Sequence, residues 1–290
     1  MAFRTLVVSS HSKLEYSLGY FVFRTAEKTS RINISEIQCI IIESTAVAIT
    51  GNLLCEIIKN NICLIFCDEK KNPYSQLLPL YGSYNTYKKY SSQINWSKTI
   101  KDEVWKLIVQ QKILGESTNL KKEGFTIESE KLKQYIDEVT PCDLTNREGH
   151  ASKVYFNKIF GENFTRSDDS MINIYLNYGY SVLASYINRT VCSLGYLTQF
   201  GIHHIGADNP FNFTYDLIEP FRVFVDMYIR RISQDDNFKL ILANILNENI
   251  KINDKSQTLA NALSIYVQSV ISALNESNTD LLIFPDGYEL

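Results

Sequence analysis

The chain has 290 residues, 45% of them hydrophobic, with only 12 Gly and 6 Pro. That is enough apolar material for a sizeable core, and it excludes collagen-like, linker-dominated and disordered classes. The formal net charge of −3 excludes a protein that simply coats nucleic acid. Any grip on DNA must come from local patches and should weaken with salt. Residues 1–90 carry ten Lys and Arg against seven Asp and Glu, and the remainder nineteen against twenty-five.

The first ~70 residues read as strands by their alternation of polar and apolar positions. Lys13 to Ser17, Tyr20 to Arg24 and Arg31 to Ile34 each have the pattern of a half-buried strand, and Cys39-Ile40-Ile41-Ile42 that of a strand covered on both faces. Thr50 is placed to cap a short helix through Leu53, Leu54, Ile57 and Ile58, ended by Asn60-Asn61, before strand returns over Ile62 to Cys67. Asp68 to Pro73 is a turn, and the Tyr-, Ser- and Asn-rich stretch Tyr81 to Gln93 a connector. Helical spacing follows in Ile100, Val104, Leu107, Ile108 and Ile113. The longest helical pattern covers 168–194, with Asp168 or Asp169 as cap and Gly195 as stop. A last amphipathic helix spans about Ser256 to Leu274. The expected fold class is therefore α+β, with a small β-rich N-terminal domain (1–75), a connector (76–95) and a larger all-helical domain (96–290).

Six cysteines lie mostly in apolar runs and read as buried free thiols; Cys63 and Cys67 lack a second Cys/His pair to complete a zinc tetrad. The N-terminus has no apolar core followed by a small-residue cleavage site, and no run approaches a membrane span. The default expectation is a cytoplasmic protein with no membrane partner.

Three segments could carry chemistry. If Thr145 to Phe156 is helical, Glu148 shares the inward face with Ala151, Ser152 and Tyr155, where a carboxylate needs a partner or a cation; it could equally be an exposed first-turn Glu complementing the helix dipole. His203 and His204 lie side by side, and adjacent histidines diverge, so at most one should ligate a given ion; both could instead be ordinary hydrogen-bonded histidines. Asp216 and Glu219 are three apart, on one helix face with Arg222, or else an N-cap and its capping-box partner in a helix beginning close to Asp216 with Pro220 in the first turn. Two carboxylates and an imidazole make a mixed O/N site suited to Mg²⁺ or Mn²⁺, able to act on a phosphodiester. Arg147, Lys153, Arg166, Arg189 and Arg222 could hold phosphates, or be solvated charges.

Four ordered motifs carry a resemblance: Arg147-Glu148-Gly149-His150-Ala151, Leu176-Asn177-Tyr178-Gly179-Tyr180, Gly201-Ile202-His203-His204 and Asp216-Leu217-Ile218-Glu219-Pro220-Phe221-Arg222. Together they resemble the CRISPR-associated spacer-acquisition integrase, the larger universal adaptation protein, in its type II, Cas9-associated version. The resemblance runs essentially the whole length. It implies a metal-dependent DNA endonuclease and integrase that inserts captured DNA into a CRISPR array by 3′-hydroxyl attack at the repeat borders. By motif it implies Glu148, His204 and Glu219 as catalytic residues and ligands of Mg²⁺ or Mn²⁺, with Asp216 an auxiliary carboxylate. Some relatives carry Asp at the position of Glu219. The partners implied are double-stranded DNA (prespacer and repeat), a second copy bound through the N-terminal domain, and the smaller adaptation protein in a four-plus-two complex. In type II systems an accessory DNA-end-binding protein and the effector nuclease can join. The competing functions are a non-catalytic DNA-binding scaffold and a hydrolase of small phosphoesters, though no Gly-rich phosphate cradle supports the latter.

Overall fold

The computed structural model describes residues 4–80, 83–232 and 237–288. The N-terminal strands are β1 (Arg4–Val8), β2 (Ser12–Ser17), β3 (Tyr20–Arg24), β4 (Thr29–Asn33), β5 (Ile37–Ile42), β6 (Val47–Ile49), β7 (Cys63–Cys67) and β8 (Pro73–Leu77), with helix α1 (Gly51–Lys59) between β6 and β7. They form two four-stranded sheets, ordered β1-β5-β7-β8 and β4-β3-β2-β6. The β2–β3 hairpin turns at Leu18 and Gly19, both at positive φ, which matches the twist of the strands it joins. Thr50 caps α1 through Leu53 N, as its sequence predicts.

All of β5 is buried, again as expected, and its alternate residues face different cores. Ile40, Ile42 and Leu64 pack between the sheets with Leu14, Phe21, Leu53 and Ile57. Cys39, Ile41, Cys63 and Ile65 point the other way, into the core of the helical part. The period-2 pleat of β5 and β7 thus fastens the two regions together. The six cysteines are free; Cys39 and Cys63 are buried, whereas Cys55 is exposed.

The helical part comprises α2 (Thr86–Ile94), α3 (Lys98–Lys122), α4 (Thr126–Asp137), α5 (Arg147–Phe160), α6 (Met171–Ser193), α7 (Asn212–Ile218), α8 (Arg222–Ile229), α9 (Phe238–Ala243) and α10 (Leu259–Glu276). It is not all-helical. Strands β9 (Asn249–Ile252) and β10 (Lys255–Thr258) pair antiparallel around Asn253 and Asp254, both at positive φ. The last helix accordingly begins at Leu259, capped by Thr258, and not at Ser256, which lies in β10. The expected connector contains α2, and Ser170 caps α6 in place of Asp168 or Asp169. Gly195 follows the end of α6 at φ +81°, where its missing Cβ makes the turn cheap.

Helix α6 runs through the middle of this part, buried on most of its surface. Gly179 lets α8 approach it closely, because a Cβ there would collide with Val225 Cγ1 and meet Cγ2 at 3.3 Å. The same contact brings Tyr180 Oη to within 2.5 Å of Asp226 Oδ1. No described helix is long and apolar enough to cross a membrane. Gly179→Ala should cost about 1–3 kcal/mol by overpacking. Chemical denaturation should show a smaller penalty in a Val225→Ala background; an equal one would place the strain elsewhere.

Candidate metal and phosphodiester site

The loop before α5 builds its first turn tightly. Asp143 accepts the backbone N–H groups of Arg147 and Glu148, each at 2.9 Å, and the Asn146 side chain caps Gly149 N. With that turn fixed, Ala151 and Tyr155 are fully buried and Glu148 leans inward beside them. Glu148 is not the exposed first-turn residue: its Oε1 pairs with the Lys112 ammonium, and Ser152 Oγ lies 3.4 Å away.

Lys112, on α3, also lies 2.6 Å from Glu219 Oε2, so one ammonium joins carboxylates from two distant segments. Glu219 Oε1 accepts from Arg222 Nε at 2.9 Å. The capping-box alternative is not what the chain adopts. Asp216 lies inside α7, which begins at Asn212, and Pro220 belongs to the 3₁₀ turn Glu219–Phe221 between α7 and α8.

Asp216 is fully buried and organises the histidine loop. Its carboxylate accepts backbone N–H groups from Ile202, His203 and His204 at 2.5, 3.1 and 3.0 Å, and meets His204 Nδ1 at 2.6 Å. Gly201 is needed here, since a Cβ would lie 2.6 Å from Asp216 Oδ2. The two imidazoles diverge, with ring planes 89° apart. His203 stacks flat on Trp105 at 4.3 Å and has Cys142 Sγ 3.7 Å from its Nδ1. His204 has its Nδ1 engaged by Asp216 and keeps Nε2 as the other ring nitrogen, the arrangement in which a carboxylate orients a ligating imidazole.

The electrostatics are those of a buried, mixed-charge site. Burial opposes the charge of Lys112, but Glu148 and Glu219 outweigh it and hold the ammonium above its usual range. Burial likewise opposes ionisation of Glu219, yet Arg222 and Lys112 bring it down to about 2. The hydrogen bond to Asp216 raises His204, which also feels the charges of Glu219 and Arg222, while burial lowers His203. Burial lifts Glu116, one turn along α3 from Lys112, to about 8. Sequence reasoning missed Lys112, Glu116 and Asp226. The signal was present in Ile108-Lys112-Glu116-Leu120, charges at helical spacing on the apolar stripe of α3, every one of them buried.

A cavity of about 710 Å³ opens over these groups, lined by Lys112, Glu116, Glu148 and Glu219 together with Lys153, Arg166, Arg222 and Asp226. His204 is not in this lining; it lines a separate hollow with Lys101 and Asn212. Arg166 is held by Asn173 and Asn177 and lies over Tyr180, as does Arg222. Arg147 and Arg189 lie outside the cavity, Arg147 paired with Glu138 over Tyr135 and Arg189 over Tyr186.

Among the described residues no three His, Cys, Asp or Glu side chains converge closely enough to hold an ion as they stand. Lys112 occupies the point between Glu148 and Glu219. The donor chemistry nevertheless fits a hard divalent cation: two carboxylates already share one cationic partner, and Glu219 Oε2 is buried with an ion-pair contact but no aligned hydrogen bond. An ion there would take the position of the ammonium.

The profile of the family described as "CRISPR associated protein Cas1" matches residues 6–256. The chain belongs to the Cas1 family. The resemblance read from its motifs is thereby borne out. It is 29% identical to the CRISPR-associated endonuclease Cas1 of Neisseria meningitidis serogroup C, over 99% of this chain and 97% of that protein. It is 23% identical to a CRISPR-associated endonuclease Cas1 of Pyrobaculum aerophilum, over 76% and 78% of the two chains. The fold is shared with a casposase bound to its integration product (TM-score 0.77, 18% identity, 95% of this chain and 92% of that one). A Cas6-RT-Cas1–Cas2 complex shares it too (0.75, 18%, 99% of this chain and 36% of that one), as does a Cas1 protein of Thermotoga maritima (0.72, 16%, 95% and 98%).

One member of the cavity can be tested through pH alone. Burial raises Asp226 from an ordinary 3.8 to about 6, against the opposing hydroxyls of Tyr180 and Tyr155. Its folded pKa is thus above its unfolded one, so the stability it contributes is complete below 3.8 and is lost as pH rises through about 6. Asp226→Asn does not titrate. Its Tm relative to the parent protein, measured in EDTA, should climb across that interval and level off above it; a difference independent of pH would contradict the assignment.

Proposed function

We propose that this chain is a Mg²⁺- or Mn²⁺-dependent DNA endonuclease and integrase that inserts short foreign DNA into a CRISPR array. The observation that carries this reading is the convergence of Glu148 and Glu219 on one cation in a cavity edged by Lys153, Arg166 and Arg222. Glu148, Glu219 and His204 Nε2 would hold the metal, which when bound supplies charge neutralisation at the phosphate and a more acidic attacking hydroxyl. The chain's own groups do the rest. Asp216 holds the His204 ring in one direction through its Nδ1. Arg222, anchored by Glu219 and lying over Tyr180, and Arg166, anchored by two asparagines, present pre-positioned guanidinium groups to phosphate oxygens. Attack by a free 3′-hydroxyl forms one phosphodiester as another breaks and releases a new 3′-hydroxyl. The bond count is conserved, so the reaction needs positioning and charge compensation and no energy source.

Family membership and the casposase and Cas1–Cas2 neighbours support the corresponding partners: duplex prespacer and repeat DNA, and the smaller adaptation protein in a four-plus-two assembly. Dimerisation would run through the N-terminal strand-rich domain (1–75), with catalysis in 96–290, in the cytoplasm of a prokaryote. Type II accessory and effector proteins belong to the same proposal.

The reading is tested by joining a short duplex into a repeat-containing target with Mn²⁺ or Mg²⁺. Glu148→Ala and His204→Ala should each lower product by at least about a hundredfold, since loss of a ligand removes several kcal/mol of transition-state stabilisation, with circular dichroism unchanged. Full activity in either variant would sink the site. A second reading, a non-catalytic DNA-binding scaffold, is favoured by one observation: Lys112 already bridges both carboxylates. A scaffold would keep its DNA affinity in EDTA and yield no metal-dependent product under any condition.

A further inference from the structure

We infer that Lys112 is an exchangeable counter-ion with two seats, one between Glu148 and Glu219 and the other on Glu116, and that divalent-cation binding moves it from the first to the second. The inference rests on the metal reading above and adds to it a residue that competes with the metal. Four observations carry it. Lys112 projects from α3, an element that supplies no proposed ligand, into the gap between two carboxylates supplied by α5 and by the turn after α7. Lys112, Glu219 and Glu116 are each more than nine-tenths buried, so an ammonium displaced from one carboxylate is stabilised by a second carboxylate close by. Glu116 is four residues further along the same helix, the spacing at which a lysine and a glutamate on one face meet. Finally, Glu116 accepts from Ser152 Oγ with Oε1 alone, at 2.9 Å, while its buried Oε2 has no hydrogen-bond partner.

An unpartnered buried carboxylate oxygen is costly unless some state of the protein uses it. Glu116 and Glu148 are already connected through Ser152, whose hydroxyl lies 2.9 Å from one and 3.4 Å from the other. Ser152 thus places a polar group between the two seats. With Lys112 in the first seat the two carboxylates are held together without metal, and the buried Glu219 is not left unpaired. With Lys112 in the second seat the pair is free for a cation, and the positive charge stays inside the cavity that receives phosphate. Glu116 is thus a positioning residue for Lys112, and neither is a ligand.

The test is Mn²⁺ binding to the full chain by titration calorimetry, compared among the parent protein, Lys112→Met, Glu116→Gln, the double variant and Glu148→Ala. Lys112→Met removes the competitor and should tighten Mn²⁺ binding about tenfold. Glu116→Gln replaces the acid of the second seat with an amide that cannot pair with an ammonium as an ion, and should weaken binding about fivefold; this penalty should vanish in the Lys112→Met background. In EDTA the Lys112→Met variant should melt well below the parent protein, and saturating Mn²⁺ should raise its Tm by more than it raises the parent's. If Lys112→Met is unfolded in EDTA, Mn²⁺-driven recovery of its circular dichroism reports the same exchange. Equal or weaker Mn²⁺ binding by Lys112→Met, or a Glu116→Gln penalty that persists without Lys112, would overturn the two-seat inference while leaving the metal site intact. Absence of Mn²⁺ binding in every variant would overturn the metal reading itself. Binding that Glu148→Ala leaves unchanged would place the ion elsewhere and overturn both.

Discussion

The Lys112 ammonium between Glu148 and Glu219 is the interaction on which the geometry of the site depends. It ties α3 to the first turn of α5 and to the break between α7 and α8, and the Ser152–Glu116 and Asn119–Tyr155 hydrogen bonds add to the link between α3 and α5. Buried ion pairs contribute little net stability when measured against an apolar replacement, but removing one partner leaves an uncompensated charge and is strongly destabilising. Such a pair constrains rather than strengthens. Here it fixes the separation of the Glu148 and Glu219 carboxylates. The neighbouring groups reinforce it: Arg222 holds the other oxygen of Glu219, and Asp143 holds the backbone that carries Glu148.

A second constraint acts on the histidine loop. Asp216 uses three backbone N–H groups and one imidazole nitrogen to hold Ile202 to His204 in a single conformation, which Gly201 admits only because it lacks a Cβ. The loop is as well specified as a helix turn even though it has no regular structure. Its position relative to Glu219 follows from the chain itself, since Asp216 precedes Glu219 by three residues in α7 and the turn that follows. The carboxylate that aims His204 and the carboxylate beside it are thus on one short rigid segment.

Much of this was readable from residue order. Glu148 stood on the same helical face as Ala151 and Tyr155, both fully buried in the fold, but spacing alone left an exposed first-turn Glu open, and the motif order selected the inward reading. The divergence of His203 and His204 followed from their adjacency. Lys112 and Glu116 were legible in principle, as charges on the buried stripe of α3. They escaped notice because a lysine and a glutamate four apart on a helix ordinarily mark a solvated face. The β9–β10 hairpin was missed for a different reason. Its strands are four residues each, too short for period-2 alternation to stand out, and Asn253-Asp254 takes the positive-φ turn without the glycine that usually announces one. Strand β8 begins at Pro73, on the edge of its sheet, where a proline costs no ladder hydrogen bond but reads as a turn. Tertiary pairing, which sequence spacing does not encode, decided all three.

Whether Glu148, Glu219 and His204 share one divalent ion is read most directly by anomalous diffraction at the manganese edge from crystals grown with Mn²⁺. A shared ion should give a single strong peak between the two carboxylates, with His204 Nε2 turned toward it and the Lys112 ammonium moved aside. A map with no peak there, and with Lys112 still bridging Glu148 and Glu219 at saturating Mn²⁺, would contradict it.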